Sequence, residues 1–393
     1  MRTKVATTVV CALLVVCATS TIASSAPTFT LLDSFNGTDG AYPYGAVVQA
    51  SDGNLYGTTS EGGLGYGLWG TIFKMTPDGT LTSLHSFNGA DGSNPVSALV
   101  QAHDGTFYGT TESGGAGSAC QFGCGTVFKI TPGGRLTTLH SFSGADGSLP
   151  YAGLVQASNR DFYGTTEFGG KFNFGTVFKI TPSGTLTTLH DFAGGDGAYS
   201  FAGLIQASDG YLYGTTDEGG AYNHGAIFKM TLRGKLTTLH SFNGADGGYP
   251  RDVLVQATRG YLFGTTEYGA YAGGDYYGTV FKVSTSGTFT SLHTFSRTDG
   301  ANPYAGLVWA TDGNLYGTTL NGGINNDGAV YRITPNGVLT TIYSFQNSQA
   351  YPFAGLVQAT NGDLYGVTYE GGDGVCGGFF CGMVFRLSGL RQQ

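Results

Sequence analysis

Charge is scarce in this chain of 393 residues: Asp, Glu, Lys and Arg together make up 11%, against about 25% in ordinary soluble domains. That shortage argues against long surface helices laced with ion pairs. Positive charge is scarcer still. Eighteen basic residues stand against 26 acidic ones, a net charge of -8, so the concentrated cationic face that nucleic acid or an anionic membrane requires is missing. A membrane-length apolar run is also absent. The longest, Val5 to Ala18, falls short of the roughly 20 residues that span a bilayer. Proline (11) and tryptophan (2) are few while glycine reaches 68, and Gly plus Pro stays below the roughly 25–30% of a disordered low-complexity chain. What remains is 40% hydrophobic and 13% aromatic, enough to bury a core built from strands and turns.

Met1-Arg2-Thr3-Lys4, the apolar run behind it and small residues through Ala26 have the layout of a secretory leader. Residues 1–25 are therefore expected to be a cleaved signal peptide, and 26–393 a single exported domain, secreted or periplasmic and monomeric. Cys17 follows the bulky Leu14-Val15-Val16, which disfavours lipid attachment. Four cysteines outlast the leader: Cys120, Cys124, Cys376 and Cys381. In an oxidising compartment they are expected to form two local disulfides, Cys120 with Cys124 and Cys376 with Cys381, pinning two long loops. A shared four-thiolate zinc site is the weaker alternative; no metal or cofactor is expected.

The informative feature is repetition. Gly153-Leu154-Val155-Gln156-Ala157 recurs with small changes from Ala46, Ala98, Gly203, Val253, Gly306 and Gly355. Each unit holds four short runs rich in Thr, Val, Tyr and Phe, in the third copy at 154–157, 162–166, 176–181 and 186–192. Asp52-Gly53 suits a tight hairpin between the first two runs, and Thr76-Pro77-Asp78-Gly79 closes the third onto the fourth. A four-stranded sheet of this size cannot cover both its faces, so the units must stack. Seven twisted sheets close into a ring: an all-β, seven-bladed β-propeller with four antiparallel strands per blade. The two ends of the array are complementary. Thr28 to Phe35 matches a fourth strand, whereas the run Met383 to Leu387 is a third strand with no fourth after it. The N-terminal strand is thus expected to complete the last blade and remove the open edges.

Gly-Leu-Val-Gln-Ala, Asn54-Leu55-Tyr56-Gly57-Thr58-Thr59, Gly125-Thr126-Val127-Phe128-Lys129-Ile130-Thr131-Pro132 and Leu139-His140-Ser141-Phe142 resemble the GloVer (Gloeobacter/Verrucomicrobia-type) tandem repeat of secreted bacterial proteins. The resemblance covers nearly all of the chain beyond the leader. It implies an extracellular propeller-like array and brings no assigned activity or catalytic residues with it.

In such a ring the loop between the second and third strands and the connection to the next blade emerge on one face, the loop face, and the two tight hairpins on the other. Loop-face connections carry Asp39, Asp91, Asp146, Asp196, Asp246 and Asp299, while the long loops open with Glu61, Glu112, Glu167, Asp217, Glu218, Glu267 and Glu370. Aromatics such as Tyr66, Trp69, Phe122, Phe172, Tyr222, Tyr271 and Tyr276 lie among them. Sugar rings stack on aromatic faces and give hydroxyl hydrogens to carboxylates, so an extracellular glycan, or a protein, is the expected partner. Groups repeated in almost every blade are better read as structure: the aspartates as turn caps, His85, His140, His190, His240 and His293 as packing and hydrogen-bonding groups, Lys74, Lys129, Lys179, Lys229, Lys282, Arg332 and Arg386 as cations paired between blades, and the motif glutamines as ties around the inner strands. Function should reside in departures. The inner strand is headed by Tyr44, Val96, Tyr151, Phe201, Arg251, Tyr304 and Phe353. Arg251 and the following Asp252 form a charge pair near the channel mouth, and Trp309 replaces a glutamine. Arg251, Asp252, Tyr44, Tyr151, Phe201, Tyr304, Phe353 and Trp309 are therefore the candidate ligand contacts. His103, His224 and Asp275 are further singletons. No catalytic residue is assigned, because no Ser-His-Asp order, metal-binding His pair or phosphate loop stands out. A polysaccharide hydrolase or lyase working in the central channel and a passive envelope scaffold remain the alternatives.

Overall fold

The computed structural model describes residues 27–64, 69–258, 260–269, 276–346, 351–376 and 379–390. The expected leader, Tyr66, Tyr271 and Asp275 lie outside them. The described chain forms seven four-stranded antiparallel sheets, a seven-bladed propeller. Blade three is typical, with strands Val155–Gln156, Phe162–Thr166, Thr176–Ile180 and Leu186–Asp191 in spatial order. Blade seven is closed as the repeat pattern requires. Thr28–Ser34 pairs with Met383–Ser388, from Thr28 opposite Ser388 to Ser34 opposite Met383, with a bulge between Leu31 and Asp33. Among the described residues no helix is long and apolar enough to cross a membrane.

There is no single core. Seven buried clusters sit one at each blade junction, the last joining Val47 and Phe73 of blade one to Phe35, Tyr365 and Val384 of blade seven. An edge-to-face ring pair recurs at all seven junctions: Phe87 on Phe128 at 5.4 Å, Phe142 on Phe178 at 5.2 Å, Phe192 on Phe228 at 5.5 Å, and on around to Phe35 on Phe73 at 5.2 Å. Each such pair adds about 0.5–1.5 kcal/mol beyond its buried area. The third-strand ring fits only because its cross-strand neighbour is glycine. A Cβ on Gly164 would lie 2.6 Å from Cζ of Phe178.

Polar ties follow the same period. Second-strand threonines donate to a carbonyl of the next blade, as Thr110 does to Ala152 and Thr165 to Ala202. Motif glutamines accept from the preceding blade: Gln101 from Ser51 N–H, Gln206 from Ser158, Gln256 from Ser208, and Gln358 from Thr311. Gln49 accepts from Thr360 of blade seven, so this belt also closes. The third-strand cations differ from expectation. Lys74 pairs with Asp52 at 3.1 Å, Lys229 with Asp209 at 2.9 Å, and Lys179 with Asp161 at 3.6 Å, each within its own blade. The register explains this, because Lys74 stands opposite Tyr56 and the hairpin aspartate lies four residues before that tyrosine.

Both disulfides are formed, Cys120 to Cys124 and Cys376 to Cys381. Their role is to fill a recurring slot. Directly before the glycine that opens each third strand stand Trp69, Cys124, Phe174, His224, Tyr277, Asp327 and Cys381, and Trp69 and Phe174 lie against Gly89 and Gly194 of the following connection. In blade seven the small side chain of Cys381 is supplemented by its disulfide partner, Cys376 Sγ coming within 3.2 Å of where a Cβ on Gly37 would be, whereas in blade two Ala119, beside Cys120, lies 3.4 Å from a Cβ on Gly144.

Candidate functional site

The loop-face site is built from a backbone feature repeated seven times. Tyr42, Asn94, Leu149, Tyr199, Tyr249, Asn302 and Tyr351 all have left-handed φ between 53° and 63°, a conformation that costs a non-glycine residue on the order of 1 kcal/mol or more. Two hydrogen bonds hold it. The N–H of Asn94, for instance, donates to Trp69 of the preceding blade, and its carbonyl accepts from Glu112 N–H. The second bond recurs in every blade, with Ser60, Glu112, Glu167, Asp217, Glu267, Leu320 and Tyr369 as donors. These residues directly follow the second strand, and in blades two to five all four are acidic.

Glu112, Glu167, Asp217 and Glu267 accordingly form a crescent beside the channel axis. Asp217 and Glu267 are 4% and 6% exposed. Arg251, heading the inner strand of blade five, reaches both: its Nε hydrogen-bonds the Glu267 carboxylate and lies 3.4 Å from Asp217 Oδ1. The guanidinium also covers the faces of Phe201 and Tyr304, at 4.8 and 5.4 Å. One cation thus pairs directly with two carboxylates; among the described residues Glu112 and Glu167 form no direct ion pair, and Arg251 only pulls on Glu167 from farther off. Burial pushes the Glu112 carboxyl up. Burial and the neighbouring Glu112 and Asp217 push Glu167 up to about 7. Asp217 is pushed up to about 7 by burial, against the pull of Arg251 and with the push of Glu267. Among the described residues no group of three or more His, Cys, Asp or Glu side chains is arranged to hold a metal ion.

The floor beside this crescent is aromatic. Tyr44 stacks on Phe353 at 5.0 Å, meets Tyr151 edge-on at 5.6 Å, and donates a hydrogen bond of 2.6 Å to the hydroxyl of Tyr304. Tyr151 in turn packs on Phe201. Beneath the rings a cavity of about 240 Å³ runs down the axis, lined by the inner-strand glycines, alanines and leucines and by Asp252. Seven of the eight candidate contacts therefore meet on the axis. Trp309 does not; it lies half-buried at the blade five–six junction, packed among the cluster of Phe263, Leu315 and Tyr331. Arg251 and Asp252 do not pair with each other: the guanidinium is held by Glu267 and Asp217, and the Asp252 carboxylate by backbone N–H groups. Asp252 turns to the cavity and accepts from Val253 N–H at 2.6 Å and Gly306 N–H at 2.5 Å, and burial raises its pKa.

The repeated histidines and aspartates are structural. His140 Nε2 lies 2.8 Å from Asp146 Oδ2, while Asp146 Oδ1 accepts the Ser143 N–H that starts the turn. The same arrangement recurs at His85, His190, His240 and His293.

A pH effect follows from the crescent. Glu167 and Asp217 are raised above the roughly 4 of unfolded carboxyls, so between about pH 4 and 7 the folded chain holds the extra protons, and stability falls as pH rises through that window. Asp91, Asp146, Asp209 and Asp299 are lowered and act oppositely, their contribution being lost as pH drops through about 4 and below. The melting temperature should peak at mildly acid pH. Glu167→Gln should raise it distinctly at about pH 8 and hardly at about pH 5; equal shifts at both would refute the assignment.

The fold has relatives of known structure. Virginiamycin B lyase from Staphylococcus aureus matches with a TM-score of 0.63 at 17% identity, over 92% of this chain and 99% of that one. A proposed 6-phosphogluconolactonase from Bacteroides uniformis gives 0.52 at 19%, over 82% and 87%, and the GH74 enzyme from Niastella koreensis 0.50 at 16%, over 80% and 46%. At these identities the likeness is one of fold. No curated protein matches the sequence. The model of the Gloeobacter/Verrucomicrobia repeat matches residues 18–208 and 196–380, nearly the whole propeller, and the chain belongs to that repeat family.

Proposed function

We propose that the protein is an exported, non-catalytic recognition module that binds a glycan in the loop-face cup. The observation that carries this reading is the pairing of a carboxylate crescent, Glu112, Glu167, Asp217 and Glu267, with an aromatic floor of Tyr44, Tyr151 and Tyr304. Carboxylates short of donors accept sugar hydroxyls, and rings stack against sugar C–H faces. Two disulfides support an oxidising compartment, in keeping with a leader at 1–25 and one domain over 26–393. Its negative balance favours neutral or cationic partners over nucleic acid.

One observation favours a second reading. Glu167 and Asp217, both near 7, have the acidity of general acids, which suits a polysaccharide hydrolase or lyase using the same centre. Incubating the mature protein with a panel of neutral and amino polysaccharides separates the two. Retention in affinity electrophoresis with no fragment detected by mass spectrometry is the expected result. Fragment release that Glu167→Gln abolishes in a normally folded variant would instead make the protein an enzyme.

A further inference from the structure

The departures from the repeat converge on the junction between blades four and five. There the slot residue is His224, whereas other blades use Trp, Phe, Tyr or a disulfide-bonded cysteine, and Asp327 in blade six. The bridge residue after it is Gly248, where other blades have Ala41, Ser93, Ser148, Ala198 and Ala301. A Cβ on Gly248 would lie 3.3 Å from Cβ of His224. Its bridge partner is Tyr268, 40% exposed. Here lies a cleft of about 530 Å³ walled by His224, Tyr249, Tyr268 and Tyr276 and floored by Gly244, Gly248 and Gly269, within the roughly 300–1,000 Å³ of small-molecule sites. His224 Nδ1 is buried with no hydrogen-bond partner, an expensive state unless something fills it.

The cleft adjoins the cup. Tyr268 follows Glu267 directly, and the Glu267 carboxylate that holds Arg251 also reaches the Tyr268 hydroxyl, which burial and this neighbour together push up to about 12. Three tyrosines around one polar imidazole suit a pyranose ring, apolar on its faces and hydroxylated at its rim.

Building on the carbohydrate-binding reading above, we propose that this cleft is a second subsite, holding a sugar of an extended neutral glycan whose neighbouring unit occupies the cup. The test is calorimetric titration of the mature protein with cello- and chito-oligosaccharides of two to six units, alongside His224→Trp, which installs blade one's slot residue, and Tyr276→Ala. Wild type should bind the longer chains of one series about tenfold more tightly than the dimer. Both variants should lose that gain, keep the wild-type affinity for the dimer and melt normally. Unchanged length dependence in both folded variants overturns the subsite while leaving the cup intact. Absence of binding to every oligosaccharide in wild type overturns both readings together.

Discussion

A chain lacking Thr28–Ser34 is expected to lose cooperative unfolding and to collect in the insoluble fraction. That segment supplies the fourth strand of blade seven and hence the junction that closes the ring. Phe29 stacks on Tyr343 at 4.4 Å and on Phe385 at 5.3 Å, and Phe385, now fully buried, would face water. Uncovering or deleting a large core aromatic costs about 3–5 kcal/mol, against a total stability of only about 5–15 kcal/mol, and the exposed strand edge invites aggregation. The milder Phe29→Ala should cost about 2–3 kcal/mol in denaturant titration with an unchanged slope. A truncated protein melting within a degree or two of the intact one would contradict the closure.

The second large effect is expected at Arg251. In Arg251→Met, the buried carboxyls of Asp217 and Glu267 are left facing each other without their cation, and removing one partner of a buried ionic network typically costs about 3–5 kcal/mol. The loss should be greatest above about pH 7 and shrink in mild acid as Asp217, raised to about 7, protonates, because a raised carboxyl destabilises only where it is ionised. Adding Asp217→Asn and Glu267→Gln should restore most of it. Lys74→Met is the contrast: its pair with Asp52 is solvent-screened, and about 1 kcal/mol or less is expected. Thermal melts of all four proteins across pH decide the matter; equal losses at Arg251 and Lys74 would mean that the crescent is not a buried charge system.

Much of the architecture could be read from the residues because it is written seven times. Blade count, hairpin turns and the closing strand follow from strand-length runs, Asp-Gly turns and complementary ends, and both disulfides from two close cysteine pairs in an expected oxidising compartment. The site was less legible. Arg251 and the axial aromatics stood out as substitutions in a repeated position, and they do meet. The four carboxylates were visible only as part of a longer acidic series that includes Glu61, Glu218 and Glu370. What singles them out is the left-handed residue of the same blade, which fixes the position after the second strand beside the axis, and left-handed φ at Tyr42 or Leu149 leaves no mark in sequence. Cation pairing was misjudged for a related reason: whether Lys74 meets its own hairpin or the next blade depends on cross-strand register. Trp309 departs from a glutamine belt at the hairpin end, so its singularity is a packing difference at the blade five–six junction. The cleft at His224 required three departures, at 224, 248 and 268, to be known as neighbours.

The most direct test of the account is the affinity of Glu112→Gln plus Glu167→Gln for whichever polysaccharide wild type retains, measured by calorimetry beside a thermal melt. The two carboxylates form no direct ion pair and burial raises both, so their removal should leave the melting temperature unchanged or higher while weakening binding at least tenfold. Full affinity in a normally folded double variant would show that the ligand is held elsewhere on the propeller.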